Sequence, residues 1–507
     1  MRAASGYPLM PEWLYWRAQA TPGRLALIAG GRRLSFAELA AEADRMACRL
    51  ATLGLEPGDR LATLLPNGLE AAVVPHAVGR LGLVLVPLNV RLAPGELAWQ
   101  LADCGARWLL AAPPTLELAR QAVERVAGCR LIATEPLDPG VPALDELPEA
   151  AAPLGREIDL GQVHTVVYTS GTTGRPKGAL LTYGNHWWSA LGSAMNLGAL
   201  PGDCWLICLP LFHVGGLSIL FRSVTSGFAA LVHERFDPAA VNRAIDEEGV
   251  TLLSVVSTML RRMLEVRGER PYPATLRCVL LGGGPAPRPL LEACARLGLP
   301  VVQTYGLTET ASQVATLAPE DALRKLGSAG KPLYPNQVRI VTEVGKEAQA
   351  GEVGEILVRG PVVTPGYLNH PEATAAALRD GWLRTGDLGY LDEEGYLYVV
   401  DRREDLVVSG GENVYPAEVE AALLAHPAVA EAVVVGVPDP EWGQRVVAAV
   451  RLVAGATVSA GELQAWCRQR LAGYKVPKEI RIVAELPRNA TGKLLRRSVR
   501  EWWEPSA

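Results

Sequence analysis

A chain of 507 residues is too long for one ordinary hydrophobic core and implies roughly three. With 49% hydrophobic and 20% charged residues, its composition is that of a globular α/β protein and excludes a disordered one. The 49 Lys and Arg against 54 Asp and Glu leave a net charge of −5, which argues against nucleic acid as a partner.

The N-terminal stretch carries Trp13, Tyr15 and Trp16 among scattered charges instead of a basic segment followed by an apolar block, so no targeting leader is expected. The most apolar segment, 71–90, is broken by Pro75, His76, Gly79 and Arg80, and stable membrane insertion is not expected either. Residues 11–160 alternate helical patterns (35–53, 69–81, 95–104) with short apolar runs (60–65, 84–88, 108–111). That alternation predicts a parallel sheet with helices on both faces. The Pro-rich, acidic stretch 135–161 reads as a surface connector. The eight cysteines are scattered without a C-x-x-C pair. Cys204 and Cys208 flank Trp205 in an apolar run and read as core residues, and reduced thiols fit a cytoplasmic protein.

After the β-branched run 163–168, the stretch Tyr168-Thr169-Ser170-Gly171-Thr172-Thr173-Gly174-Arg175-Pro176-Lys177-Gly178 concentrates hydroxyls, glycines and cations. Glycine lets successive N–H groups face one concavity, the hydroxyls add donors and Lys177 adds a point charge, which makes an anion cradle. No Gly-Lys-Ser/Thr triplet is present, so the loop is not a Walker loop. A mobile polar turn is the alternative for such a cluster taken alone.

Between 205 and 305 the βα alternation resumes, and two apolar runs end in turns, Gly282-Gly283-Gly284-Pro285 and Gly306-Leu307-Thr308-Glu309-Thr310. Turns beyond the carboxyl ends of strands are where open α/β sheets bind ligands. After Gly327 the pattern becomes β-rich and broken by Gly and Pro. A charged break, Asp401-Arg402-Arg403-Glu404-Asp405, precedes a helix at 417–425, strands at 429–437 and 446–452, a helix at 459–471 and a strand at 479–483. The expected fold is α/β: a large N-terminal domain, 1–403, of layered α/β sheets (about 1–326) with a small β-barrel-like subdomain (about 327–403). A small mobile α+β C-terminal domain, 404–507, follows.

The Tyr168–Gly178 loop is followed in order by Leu209-Pro210-Leu211-Phe212-His213, Gly282-Gly283-Gly284, Tyr305-Gly306-Leu307-Thr308-Glu309-Thr310, Thr385-Gly386-Asp387, Asp401-Arg402, Ser409-Gly410-Gly411-Glu412-Asn413 and Pro487-Arg488-Asn489-Ala490-Thr491-Gly492-Lys493. Over nearly its whole length the chain thereby resembles the adenylate-forming enzymes, which include acyl-CoA synthetases, stand-alone adenylation domains and luciferases. The resemblance implies a carboxylic acid substrate, ATP, Mg²⁺ and CoA. Thr169, Ser170, Gly171, Thr172, Thr173, Gly174 and Lys177 would hold phosphates. Tyr305 and the backbone of Gly283 and Gly284 would enclose adenine, next to Gly306 and Thr308. Asp387 and Arg402 would take the ribose hydroxyls, a carboxylate being the natural acceptor for a diol. Glu309, with Thr169, would hold Mg²⁺, which prefers one or two protein oxygens together with phosphates and water. Lys493 would contact the α-phosphate and the attacking carboxylate, and Glu404 would be the hinge, where the family usually has Asp or Lys. Ser409, Gly410, Gly411 and Glu412 would meet CoA once the small domain has turned. Outside the motifs these residues have ordinary readings: Asp387 a turn former, Glu309 a helix cap, Lys493 one solvated cation beside Arg488, Arg496, Arg497 and Arg500.

Further stretches, 185–190, 196–198, 209–218, 281–287 and 327–333, resemble the branch of that family that ligates 2-succinylbenzoate to CoA for menaquinone biosynthesis. In that acid the succinyl carboxylate reacts and the aromatic carboxylate must be held without reacting. Arg222, four residues beyond Ser218 on an expected helix, is the candidate cation, with Ser218, Ser312 and Gln313 as polar neighbours and His213, Gly282 and Leu307 lining the acid pocket. Arg222 could equally lie on the surface. A medium-chain or aryl acyl-CoA synthetase, a module loading a carrier-protein thiol and a non-catalytic nucleotide-binding homologue are the other readings. Oligomeric state, a homo-oligomer included, stays open.

Overall fold

The computed structural model describes residues 9–169, 175–283, 288–342, 344–402, 407–414, 416–487 and 496–503. Two α/β sheets account for most of the large N-terminal part. The first runs, in spatial order, through Lys177–Thr182, Val163–Thr169, Val84–Pro87, Arg60–Leu64, Trp108–Ala111 and Arg130–Ala133. Its strands are parallel except Lys177–Thr182, which returns antiparallel along Val163–Thr169. The second sheet has a parallel centre of Val301–Tyr305, Cys278–Gly282, Leu252–Val256, Cys204–Ile207, Ala229–Val232 and Leu25–Ala29, closed at both edges by antiparallel strands.

Helices Phe36–Leu50, Leu69–Arg80 and Val214–Ser226 lie in the core that the two sheets share. Every residue from Ala71 to Arg80 is buried, which explains why this helix reads as continuously apolar and not amphipathic. Its one cation, Arg80, is neutralised by Asp44, with Nε–Oδ1 2.7 Å and Nη2–Oδ2 3.1 Å. Parallel strands covered on both faces likewise appear as unbroken Val, Leu and Ala runs.

The β-rich segment forms a five-stranded antiparallel sheet of Gln337–Val341, Gly354–Arg359, Trp382–Leu391, Leu378–Arg379 and Leu397–Arg402. The C-terminal lobe is another five-stranded sheet, in which the long hairpin Val429–Asp439 and Gly443–Leu452 is central. Its side chains alternate with period two. Val434, Val446, Ala448 and Val450 face helices Pro416–Leu424 and Ala460–Arg468, while Val433, Val435, Val447 and Ala449 face Leu486 and Val499.

Helices and strands fall close to the expected positions, with two differences. The stretch 135–161 is not a mere surface connector: Val141, Ala143, Leu144, Ile158 and Leu160 are buried, and Glu157–Asp159 pairs with Leu9–Pro11. An extended Pro-rich chain still turns alternate side chains onto the surface it crosses, which composition does not reveal. The short hairpin Val407–Ser409 and Glu412–Val414 was likewise hidden in a Gly-rich run. Arg403 and Glu404, where the domain break was expected, lie outside the described residues. Among the described residues no helix is long and apolar enough to cross a membrane. The cysteines are free, and all but Cys48 are buried.

A cluster of aromatic and histidine side chains fills the shared core next to helix Val214–Ser226. His164 stacks on Tyr183 at 4.1 Å, and His186 lies 4.6 Å from the Phe221 ring. Burial pushes His76 down to about 4 and His164 down to about 3. Each imidazole therefore binds a proton in the unfolded chain below its ordinary 6.5 but refuses it in the fold. Stability is full above that pH and is lost as pH falls, by about 3 kcal/mol per histidine at pH 4. Thermal unfolding from pH 7 to pH 4 should show a steep fall of the midpoint, and His164→Phe should make the fall shallower.

Candidate active site

A cavity of about 1210 Å³ opens where the carboxyl ends of Val163–Thr169, Cys278–Gly282 and Val301–Tyr305 meet the C-terminal lobe. The strand ends contribute backbone turns and short polar side chains, and the lobe contributes Gly410, Gly411, Glu412 and Lys475. The ligand-binding turns expected from sequence thus converge on one space.

At one side, Thr169 Oγ1 lies 3.5 Å from Glu309 Oε1, which also accepts a 2.9 Å hydrogen bond from the Tyr367 hydroxyl. Lys177, at the start of its strand, places Nζ 5.5 Å from the centre of the Tyr367 ring. Among the described residues no carboxylate forms an ion pair with Lys177, which leaves its charge for an anion in the cavity. No group of three or more His, Cys, Asp and Glu suited to a metal is found among the described residues. Glu309 with Thr169 nevertheless fits Mg²⁺, because that ion takes most of its ligands from phosphate oxygens and water.

Asp387 is buried on the strand Trp382–Leu391, accepts 2.7 Å from the Tyr305 hydroxyl, and is reached by the cavity. Its strand partner in register is Arg402; the Arg402 side chain lies outside the described residues. The turn between Tyr305 and Gln313 is tight. Ala311 and Ser312 have φ of 50° and 109°, an unusual backbone for residues with a Cβ. A Cβ on Gly306 would come within 1.5 Å of the Ser312 carbonyl oxygen, so glycine is obligatory there.

The cavity is also lined by Arg222. The surface alternative is excluded: Arg222 is only 2% exposed, on helix Val214–Ser226. Its Nη2 donates to Ser312 Oγ at 3.2 Å, and its guanidinium lies 5.3 Å from the Trp205 ring centre. Nε has no partner, and no carboxylate pairs with it among the described residues. Burial pushes its pKa down to about 9, the mark of a cation lacking a counter-ion. Gln313 and Ser312 line the same end, and the Gln313 Oε1 and Ser218 Oγ are buried without partners.

His213 caps the same helix, and its Nε2 lies 3.1 Å from Glu412 Oε2 of the C-terminal lobe. Arg91 Nη1 donates to the other Glu412 oxygen at 2.8 Å. Burial acts to raise the Glu412 pKa, but His213, Arg91 and Lys475 outweigh it and hold the carboxylate below its ordinary value.

Of the residues singled out from sequence, Thr169, Lys177, Gly282, Gly283, Gly306, Leu307, Thr308, Glu309 and Asp387 converge on the cavity, as do His213, Arg222, Ser312, Gln313, Gly410, Gly411 and Glu412. Tyr305 belongs to the core cluster beneath the β-rich sheet, and its hydroxyl donates to Asp387, which the cavity reaches. Ser218 and Ser409 are buried behind the wall. Ser170, Gly171, Thr172, Thr173, Gly174, Gly284, Glu404 and Lys493 lie outside the described residues. Tyr367, Arg91 and Lys475 were not anticipated. Asn67 was not either, although it ties down the 209–213 turn through Leu209 O at 2.9 Å and the Leu211 N–H at 2.8 Å.

Residues 14–368 match the AMP-binding enzyme family, and 418–493 match the AMP-binding enzyme C-terminal domain. The chain belongs to the AMP-binding enzyme family. It is 54% identical to a 2-succinylbenzoate–CoA ligase of Geobacillus kaustophilus over 491 residues, covering 97% of each chain. Among solved structures, it is similar to a double mutant of o-succinylbenzoate CoA synthetase from Bacillus subtilis bound with its product analogue OSB-NCoA. The TM-score is 0.91 at 45% identity, covering 97% of this chain and 98% of that one. The same Bacillus subtilis enzyme in complex with the acyl-adenylate intermediate OSB-AMP gives a TM-score of 0.74 at 46% identity over the same shares.

Gly306→Ala should displace the Ser312 backbone and, with it, the hydroxyl that holds Arg222. The expected loss is on the order of 3 kcal/mol in thermal or denaturant unfolding, together with near-abolished acid-dependent ATP–pyrophosphate exchange.

Proposed function

We propose that this chain joins 2-succinylbenzoate to CoA in two steps, with cleavage of ATP to AMP and pyrophosphate. The observation that carries this reading is Arg222, a buried guanidinium without a carboxylate partner among the described residues, lining the same cavity as Lys177 and Glu309. A medium-chain acid offers nothing to such a cation, whereas the ring carboxylate of 2-succinylbenzoate supplies its missing counter-ion. The full-length identity to 2-succinylbenzoate–CoA ligases supports the same acid.

In the first step, an oxygen of the succinyl carboxylate attacks the α-phosphorus of ATP. The new O–P bond forms as the bond to the β-phosphate oxygen breaks, and pyrophosphate leaves. Lys177 faces the phosphates as a fixed charge. Asp387, oriented by the Tyr305 hydroxyl, accepts from the ribose. Thr169 and Glu309 are the residues that would hold Mg²⁺, which when bound neutralises phosphate charge. Lys493 is assigned to the α-phosphate and the attacking carboxylate by its motif. Arg222 meanwhile holds the ring carboxylate, so that only the succinyl carboxylate is presented to phosphorus.

In the second step, the sulfur of CoA attacks the acyl carbonyl, and AMP leaves with the electrons of the C–O bond. We assign the lobe 404–507 as the part that changes position between the steps, pivoting at Glu404. In the present arrangement Gly410 and Gly411 bring bare backbone to the cavity and Glu412 meets His213. The higher TM-score to the OSB-NCoA complex than to the OSB-AMP complex, at nearly equal identity, supports reading this arrangement as the one used for transfer. A cytoplasmic location fits the free cysteines.

Arg222→Met should raise KM for 2-succinylbenzoate by about 10- to 100-fold, the usual cost of a charged hydrogen-bond pair. It should leave 3-benzoylpropionate, which lacks the ring carboxylate, within about threefold. Initial-rate pyrophosphate release with both acids checks this. Lys493→Ala should abolish release with either.

A further inference from the structure

One buried ion cluster crosses between the large domain and the small lobe. Lys475 Nζ lies 2.8 Å from Glu96 Oε1 and 2.7 Å from Glu418 Oε1, and the three side chains are 3%, 9% and 8% exposed. Glu96 belongs to the first turn of helix Pro94–Cys104 in the large domain, where its other oxygen accepts from the Ala93 N–H at 2.8 Å. Lys475 and Glu418 both belong to the lobe, Glu418 on helix Pro416–Leu424. Beside them, Asn89 Nδ2 donates to the Tyr474 hydroxyl at 3.2 Å, and Ala472 and Tyr474 pack into the core formed by the first sheet of the large domain.

A buried ion cluster is poor evidence for stability, because apolar side chains of the same volume hold a fold as well. Its value is directional, since Lys475 satisfies Glu96 in only one placement of the lobe. If the lobe turns about 404, Lys475 keeps Glu418, and Glu96 is left to water. The cluster thus discriminates between arrangements of the lobe and contributes little within either domain. It also fixes a wall of the site, because Lys475 and Tyr474 line the cavity beside Gly411 and Glu412.

We infer that Glu96 is a positioning residue for the transfer step: by receiving Lys475 it holds the lobe over the cavity for attack by the thiol, and it takes no part in forming the acyl-adenylate. This rests on the two-step reading above. Burial acts to raise Glu418, to about 7 despite Lys475, so this carboxyl can carry the surplus proton when two carboxylates share one lysine.

The test separates the two steps in the full-length enzyme. Acid-dependent ATP–pyrophosphate exchange without CoA reads the first, and single-turnover consumption by CoA of preformed acyl-adenylate reads the second. Glu96→Lys sets two cations face to face and should slow transfer by about tenfold or more while exchange stays within about twofold. The exchanged pair Glu96→Lys with Lys475→Glu restores the charge count of the cluster and the ion pair between the domains, and should recover most of the transfer rate. A merely structural Glu96 would lower exchange and transfer together, and the exchanged pair would not recover one selectively. Equal loss of both steps, an unchanged transfer rate in Glu96→Lys, or no recovery in the exchanged pair would overturn the proposal. Should wild-type exchange require an acid other than 2-succinylbenzoate, the substrate reading fails, and the same comparison with that acid still decides the role of Glu96.

Discussion

A guanidinium kept out of water, without a carboxylate partner among the described residues, is the constraint from which the site follows. Desolvating a cation costs several kcal/mol unless something returns the charge, and among the described residues Arg222 meets a hydroxyl and an aromatic face. Two sheets must close around helix Val214–Ser226 to hold it there. The unfavourable backbone at Ala311 and Ser312 is retained at the same place, and it is the Ser312 hydroxyl that orients the charge. Strain and uncompensated charge in one turn are what a site looks like when the missing partner is a ligand.

The rest of the cavity distributes charge by task. Lys177, the Glu309–Thr169 pair and Arg222 line one cavity as separate charged groups, so a molecule with two anionic ends has two distinct cations to meet. The C-terminal lobe closes the space by contacts that are themselves charged: Arg91, Glu412 and His213 on one flank, Glu96, Lys475 and Glu418 on the other. Such contacts are specific in direction and modest in net strength, which suits a lobe that has to leave. The large apolar faces of the lobe are spent within it, between its own sheet and helices.

Much of this was legible in the sequence where function is local. The phosphate turn, Glu309, Asp387 and the Gly-rich run at 409–412 each sit in a short motif, and their chemistry can be named from residue types. Arg222 was reachable through helical spacing from Ser218, though only the packing of helix Val214–Ser226 decides that it is buried. What stayed hidden is long-range pairing. Tyr367 reaches Glu309 across 58 residues, Arg91 reaches Glu412 across 321 and Lys475 reaches Glu96 across 379. No periodicity links such positions, and each residue alone reads as an ordinary polar side chain. The motif of Tyr305 suggests a ring against adenine, and the packing adds what the motif does not show, a hydrogen bond from its hydroxyl to Asp387 across 82 residues.

The most direct test of the central claim, that the buried cation selects the acid, is the initial rate of pyrophosphate release by the wild-type enzyme with ATP, Mg²⁺ and CoA. The acids to compare are 2-succinylbenzoate, 3-benzoylpropionate and octanoate. The account predicts a kcat/KM for 2-succinylbenzoate on the order of a hundredfold or more above that of either acid lacking the second carboxylate, because its absence leaves Arg222 unpaired. Comparable values for the three acids, or a preference for octanoate, would contradict it.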